Sequence, residues 1–175
     1  MRTWIKSASF AVAATALLGL SGTAGAGETI KIGVTQPLTG AVAASGNYVV
    51  QGAKIAESFL NESGGILGRQ VELIVEDNKS NPKEAVATAE KLIVRDKVSV
   101  MMGAWSSTYT LAVMPKLMEY GVPMVVETSS SGKITTSGNP WIFRISPTSA
   151  MEAKSFGTKV DQFGIKKADF LVVNN

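Results

Sequence analysis

Three stretches of this sequence combine small hydroxyl side chains with glycine. They are Gln36-Pro37-Leu38-Thr39-Gly40 through Ser45-Gly46, Gly103-Ala104-Trp105-Ser106-Ser107-Thr108, and Glu127-Thr128-Ser129-Ser130-Ser131-Gly132. Backbone N–H groups and hydroxyls gathered in this way suit an anion such as a carboxylate. Ser107 is expected at a helix N-terminus, where unpaired N–H groups and the helix dipole attract negative charge. Thr128, Ser129 and Ser130 would add N–H groups and hydroxyls from a neighbouring strand end, and Trp105 an apolar wall. Plainer readings fit the same residues. Ser-Ser-Thr at a strand–helix junction serves as an N-cap, Thr-Ser-Ser-Ser-Gly serves as a turn, and a lone Trp packs. A ligand site gains ground because both loops fall on one edge of the expected sheet.

The residue inventory removes most other chemistry. The 175 residues contain no Cys and no His, which excludes disulfides, zinc–thiolate sites, thiol nucleophiles, Ser-His-Asp hydrolysis and His-ligated metals. No cofactor and no metal site is expected. Glu76 and Asp77 have no evident partner acid or base and read as a solvated strand end, with Lys79 and Lys83 solvated nearby. No G-x-G-x-x-G follows the first strand, and Gly46 to Lys54 lacks phosphate-loop spacing, so nucleotide enzymes are disfavoured. Seventeen Lys+Arg against fourteen Asp+Glu give +3; without Arg2 and Lys6 the sum is 15 − 14 = +1, too little for a nucleic-acid partner.

Strands and helices must alternate to position these loops. Glu28–Val34 and Gln70–Glu76 alternate as strands, while Val98–Met102 and Val122–Val126 are short apolar strands suited to a sheet covered on both faces. Trp141–Ile145 is extended and Ala168–Val173 is a last apolar strand. Tyr48–Asn61 has helical spacing and stops at Gly64-Gly65. Asn81-Pro82-Lys83-Glu84 is a helix start, with Asn81 as cap, Pro82 at the first helical position and Glu84 closing a capping box. A third helix carries Leu111, Met114, Leu117 and Met118, with Pro115 expected to kink it or shift its start. Met151–Phe163 is helical in pattern. The fold class is α/β, a Rossmann-like parallel sheet with flanking helices.

The chain begins with an address. Arg2 and Lys6 precede an apolar core from Phe10 to Leu20, and Ala24-Gly25-Ala26 fits signal-peptide cleavage before Gly27. The apolar run falls short of the roughly 20 residues a membrane span needs. At the other end Asn174-Asn175 follows a strand with no helix after it, so the sequence reads as cut off.

In order along the chain, Ile30 to Gly40 (I-x-I-G-V-x-x-P-L-T-G), Gly46, Gly52-Ala53, Asn61 to Arg69, Glu76-Asp77, Asn81-Pro82, Ala85-Val86, Gly103-x-x-x-Ser107, Gly121-Val122-Pro123 and Phe143-Arg144 form a set. With it the chain resembles the branched-chain amino-acid and amide solute-binding proteins of ABC transporters. The resemblance implies a type I periplasmic binding protein, in which two Rossmann-like lobes close on a small ligand. Residues 27–145 would be the first lobe without its returning segment, and residues 146–175 the start of the second. It implies that Ser107 binds the ligand carboxylate, that Thr128, Ser129 and Ser130 bind carboxylate and ammonium, and that Ser45 flanks the cleft. Trp105 matches by position alone. Contacts from the second lobe would lie after Asn175.

The expected function is therefore an exported, periplasmic binding component, not an enzyme, that delivers a small amino acid, amide or related carboxylate to a membrane permease. The alternative is the ligand-sensing ectodomain of a signalling receptor.

Overall fold

The computed structural model describes residues 28–167 and residue 169. The expected signal peptide at residues 1–26 and the strand expected at Ala168–Val173 lie outside these. Five parallel strands form one sheet: β1 (Ile30–Gln36), β2 (Val71–Asp77), β3 (Val100–Gly103), β4 (Met124–Val126) and β5 (Ile142–Arg144), in the order β2-β1-β3-β4-β5. Helices α1 (Ala43–Glu62), α2 (Pro82–Glu90), α3 (Ser107–Tyr120), α4 (Lys133–Thr136) and α5 (Ser149–Gly157) alternate with the strands, and α2 runs on as a π-helical turn, Lys91–Arg95. Among the described residues no helix is long and apolar enough to cross a membrane.

The strand order reverses direction between β1 and β3. From β1 the chain steps outward to β2; from β3 it steps the other way to β4 and β5. The loops leaving β1 and β3 therefore diverge and open a crevice at the carboxyl edge of the sheet. Gly103 ends β3 there at φ +142°, and a Cβ on it would lie 2.3 Å from the Thr35 carbonyl oxygen. Only glycine lets β3 approach β1 this closely at the crevice floor.

One face of the sheet is dry. Met101, Met124, Val126 and Ile142 join Leu92, Val113, Leu117 and Ile134 in a core covered by α2, α3 and α4. The other face is covered unevenly. Val34 is fully buried on the α1 side, but Phe143, in register with Val125 and Met102, is 54% exposed. Coverage on both faces, expected from the short apolar strands, is thus partial at Met102 and Val125 and gives out at Phe143 on β5 among the described residues.

Several expected boundaries move for identifiable reasons. Helix α1 starts at Ala43 rather than Tyr48. Its N-cap, Val42, makes no side-chain cap bond, so no capping signal marks the start. Instead Asn47 Nδ2 donates to the carbonyls of Leu38 (3.1 Å) and Ala43 (2.8 Å), and Gly46 packs where a Cβ would lie 2.1 Å from the Pro37 oxygen. Strand β4 starts at Met124 because Pro123 has no N–H for the ladder. Pro115 lies inside α3 without shifting its start, and it sits on the exposed side. The helix expected over Met151–Phe163 divides into α5, capped by Thr148, and a 3₁₀ turn at Val160–Phe163.

Two expectations about polar residues are corrected. Asn81 does cap α2, accepting from Lys83 and Glu84 N–H, but Glu84 turns to the Lys79 ammonium (3.2 Å) and no reciprocal capping box forms. The Asn81 N–H is already bonded to the Asn78 carbonyl. Nor is the end of β2 merely solvated. Glu76 pairs with Lys91. Asp77 Oδ1 accepts from the N–H groups of Leu38 (2.8 Å), Thr39 (3.2 Å) and Lys79 (2.7 Å), and Oδ2 accepts from the Thr39 hydroxyl (2.6 Å). Burial pushes the Asp77 carboxyl up, but these bonds outweigh it and hold the group below the usual carboxylate range.

Candidate functional site

The loops after β3 and β4 face each other across a cleft of about 360 Å³ lined by Trp105, Ser106, Ser107, Thr108, Thr128, Ser129 and Ser130. Five of the six residues expected at the site come together here. Ser45 does not line the cleft; it sits half-buried in the first turn of α1.

The two adjacent serines of the first loop divide their work. Ser106 is the N-cap of α3, and its Oγ accepts from the Thr108 N–H at 3.3 Å. Ser107 is the first helical residue and caps nothing on its own helix. Its Oγ accepts from the Ser131 N–H at 3.0 Å, tying α3 to the second loop. The Ser107 hydroxyl proton stays available to an acceptor in the cleft.

Beneath the cleft the loops are joined by a buried relay. Thr110 Oγ1 accepts from the Ala104 N–H (3.2 Å) and bonds Ser129 Oγ (2.8 Å), which donates to the Trp105 carbonyl (2.9 Å). Ser129 is 2% exposed, so its hydroxyl is turned inward and consumed; it can offer a ligand only its backbone. Trp105 holds φ +66°, a left-handed conformation that costs a non-glycine residue about 1–2 kcal/mol. Its carbonyl is fixed by the Ser129 hydroxyl.

Glu127, Gln36 and Thr110 are participants that sequence reasoning missed. Glu127 Oε1 accepts from Gln36 Nε2 at 2.7 Å, joining the end of β4 to the end of β1, while its Oε2 is buried without a partner among the described residues. Burial is the largest influence on this carboxyl and pushes it above the usual range, against the bonds from Gln36, its own N–H and Trp105. A charged residue ending an apolar strand at the sheet's carboxyl edge was the available signal.

The N–H groups of the cleft-lining residues Ser107, Thr128, Ser129 and Ser130 have no acceptor among the described residues. Four such groups at a helix N-terminus and a facing loop make an electropositive hollow suited to a carboxylate. A larger concavity of about 620 Å³ is mostly apolar, lined by Pro147, Met151, Phe156 and Phe163 with Glu152, Ser155 and Lys159, and it holds no pair of facing strand-end loops.

A family model described as "Periplasmic binding protein" matches residues 29–175. This chain belongs to the periplasmic binding protein family. Among its relatives, the leucine-, isoleucine-, valine-, threonine- and alanine-binding protein of Pseudomonas aeruginosa is 36% identical over 132 residues, covering 75% of this chain and 35% of the relative. The chain spans about a third of the length of the curated relatives it matches. Solved periplasmic binding proteins share its fold. The branched-chain amino acid transporter substrate binding protein of Streptococcus pneumoniae, in complex with isoleucine, has TM-score 0.66 and 32% identity over 69% of this chain and 34% of that one. A solute binding protein of an ABC transporter from Rhodopseudomonas palustris BisB5, in complex with 3,4-dihydroxybenzoic acid, has TM-score 0.70 and 30% identity over 79% of this chain and 37% of that one. As a periplasmic binding protein, the chain carries its strand-end cleft at the carboxyl edge of a type I fold, between the loops after β3 and β4 and beside the β1/β3 switch point.

Proposed function

We propose that this chain is the binding component of an ABC importer for a small amino acid, amide or related carboxylate. Residues 27–145 form the first lobe and residues from 146 start the second, and the ligand lies in the cleft between lobes. The observation that carries this reading is that the N-terminus of α3 and the Thr128–Ser130 loop, whose N–H groups have no acceptor among the described residues, line one cleft at the carboxyl edge of the sheet. The ligand carboxylate would take the Ser107 hydroxyl and N–H together with N–H groups of Thr128–Ser130, and Trp105 would wall the cleft. Isoleucine and 3,4-dihydroxybenzoic acid, held by two relatives, both carry a carboxylate, which supports that ligand class. No step of this role is enzymatic; the protein captures a solute and hands it to a permease.

The chain is exported to the periplasm and cleaved after Ala26. N-terminal sequencing of the exported protein should begin at Gly27; an intact Met1 on it rejects the cleavage. A thermal-shift screen against amino acids, amides, urea and aromatic acids tests the binding role. Ligand that binds only the native state stabilises it by RT ln(1 + [L]/Kd). At least one carboxylate-bearing compound should raise the melting temperature progressively with concentration. A native melt that none of them moves counts against the reading.

A further inference from the structure

The carbonyl oxygens of Ser129, Ser130 and Ser131 all accept hydrogen bonds from donors outside the cleft lining. Arg144 Nη1 donates to Ser129 O (3.3 Å) and Ser131 O (2.7 Å), and the Ser149 N–H donates to Ser130 O (2.9 Å). The second guanidinium nitrogen, Nη2, donates to Thr135 Oγ1 at 2.7 Å, which fixes the plane of the fork. Arg144 ends β5 and shares a sheet face with Ile142 and Val126, so it reaches the loop from the α4 side, not from the cleft. Among the described residues it makes no salt bridge.

Two consequences follow from elementary chemistry. A peptide group carries the C=O of one residue and the N–H of the next on opposite sides, so the bond from Arg144 to the Ser129 carbonyl turns the Ser130 N–H away from Arg144, while the bond to the Ser131 carbonyl sets the Gly132 N–H. A guanidinium satisfied only by carbonyls and a hydroxyl keeps its full positive charge, since no carboxylate neutralises it. That charge stands directly behind the loop whose N–H groups face the cleft.

We propose that Arg144 is a positioning and selectivity residue. Its fork sets the Ser129–Ser130 peptide plane so that the Ser130 N–H faces the cleft, and its uncompensated charge makes the site prefer a carboxylate over the matching neutral amide. This rests on the ligand-site reading above.

The test compares the wild-type chain with Arg144→Lys and Arg144→Gln in isotope-labelled form. Each is titrated with leucine and leucinamide, and with 3,4-dihydroxybenzoate and 3,4-dihydroxybenzamide, while amide signals are followed. In Arg144→Gln, carboxylate affinity should fall about tenfold, roughly 1.4 kcal/mol, with amide affinity nearly unchanged. Arg144→Lys, which keeps charge without the fork, should recover part of the loss. Equal losses for acid and amide, or no loss at all, overturn the proposal. A ligand-free arm reads the loop itself. Crystal structures of the two variants should show the Ser129–Ser130 peptide plane rotated relative to wild type in Arg144→Gln. A loop that superposes unchanged overturns the positioning role. A wild-type chain that binds none of the four probes overturns the ligand-site reading and the selectivity with it, and the ligand-free arm then decides the positioning role alone.

Discussion

The loop after β3 reads Trp105-Ser106-Ser107-Thr108 and the loop after β4 reads Thr128-Ser129-Ser130-Ser131, nearly the same residue types at the same sheet edge. In the first, the hydroxyls act outward from the helix end: Ser106 caps α3 and Ser107 reaches across to the second loop. In the second, the hydroxyls act inward or sideways: Ser129 is buried against Trp105, and Ser130 accepts from Ser149 Oγ at 2.9 Å. Ser129 offers the cleft backbone alone, while the exposed Thr128 keeps its hydroxyl free beside it among the described residues. The comparison teaches that hydroxyl-rich composition marks the place of such a site but not the donors it uses.

The sharpest way to break the comparison is at the floor of the first loop. Gly103→Ala puts a Cβ within 2.3 Å of the Thr35 oxygen at φ +142°. A loss of about 3–5 kcal/mol is expected in a denaturant melt, the range of severe steric and backbone lesions. A melt within about 1 kcal/mol of wild type would mean that β1 and β3 can separate at the crevice floor.

Adjacent serines allow a finer cut. Ser107→Ala removes a charge-assisted bond to a carboxylate, worth about 1.5–3 kcal/mol, so affinity should fall roughly ten- to a hundredfold. Ser106→Ala should lower stability by about 1 kcal/mol through the lost cap and leave affinity intact. Calorimetric titration beside a melt separates the two; an exchange of these phenotypes would reverse the roles assigned to Ser106 and Ser107.

Thr110→Val tests the link between the loops. It keeps the shape but strips the Ala104 N–H and Ser129 Oγ of a buried partner, which costs about 1–3 kcal/mol. Amide signals of both loops should move together. A response confined to the first loop would show that the loops are positioned independently.

The smallest effects are in pH dependence, where two carboxyls have opposite signs. Asp77 is held below its usual range, so its stabilisation is full above the ordinary aspartate value and is lost as pH falls through the lowered one. Glu127 is held above its usual range, so its cost is absent below the ordinary glutamate value and grows as pH rises through the raised one. Asp77→Asn should therefore flatten the acid limb of a stability–pH curve, and Glu127→Gln should flatten its neutral side. Melts across pH measure both, and a curve unchanged by Glu127→Gln would remove its charge from the energetics of the cleft.

The alternating elements, and Ser107 at a helix start, were legible because they depend on local spacing and on a strand-to-helix junction. Ser107's partner was not, since its bond goes to Ser131 in another loop. Glu127 was hidden for the same reason: its partner Gln36 ends a different strand, and its place at the end of an apolar strand was the one local sign of burial. The start of α1 was obscured by its content, because Ser45 and Gly46 favour loops locally while packing on Pro37 overrides them. Asp77 looked solvated because its partners at Leu38 and Thr39 come from the loop after β1.

The Thr110–Ser129–Trp105 relay has only one proton order. The Ala104 N–H can only donate and the Trp105 carbonyl can only accept, so the Ser129 proton goes to Trp105 and the Thr110 proton to Ser129. Two hydroxyl rotors that would otherwise sample several orientations are thereby frozen, and their aligned dipoles polarise one another along the chain. Arrival of a solute finds no rotor to reset beneath the cleft. The entropy of ordering these groups is lost once, during folding, and would not be lost again when the cleft is filled.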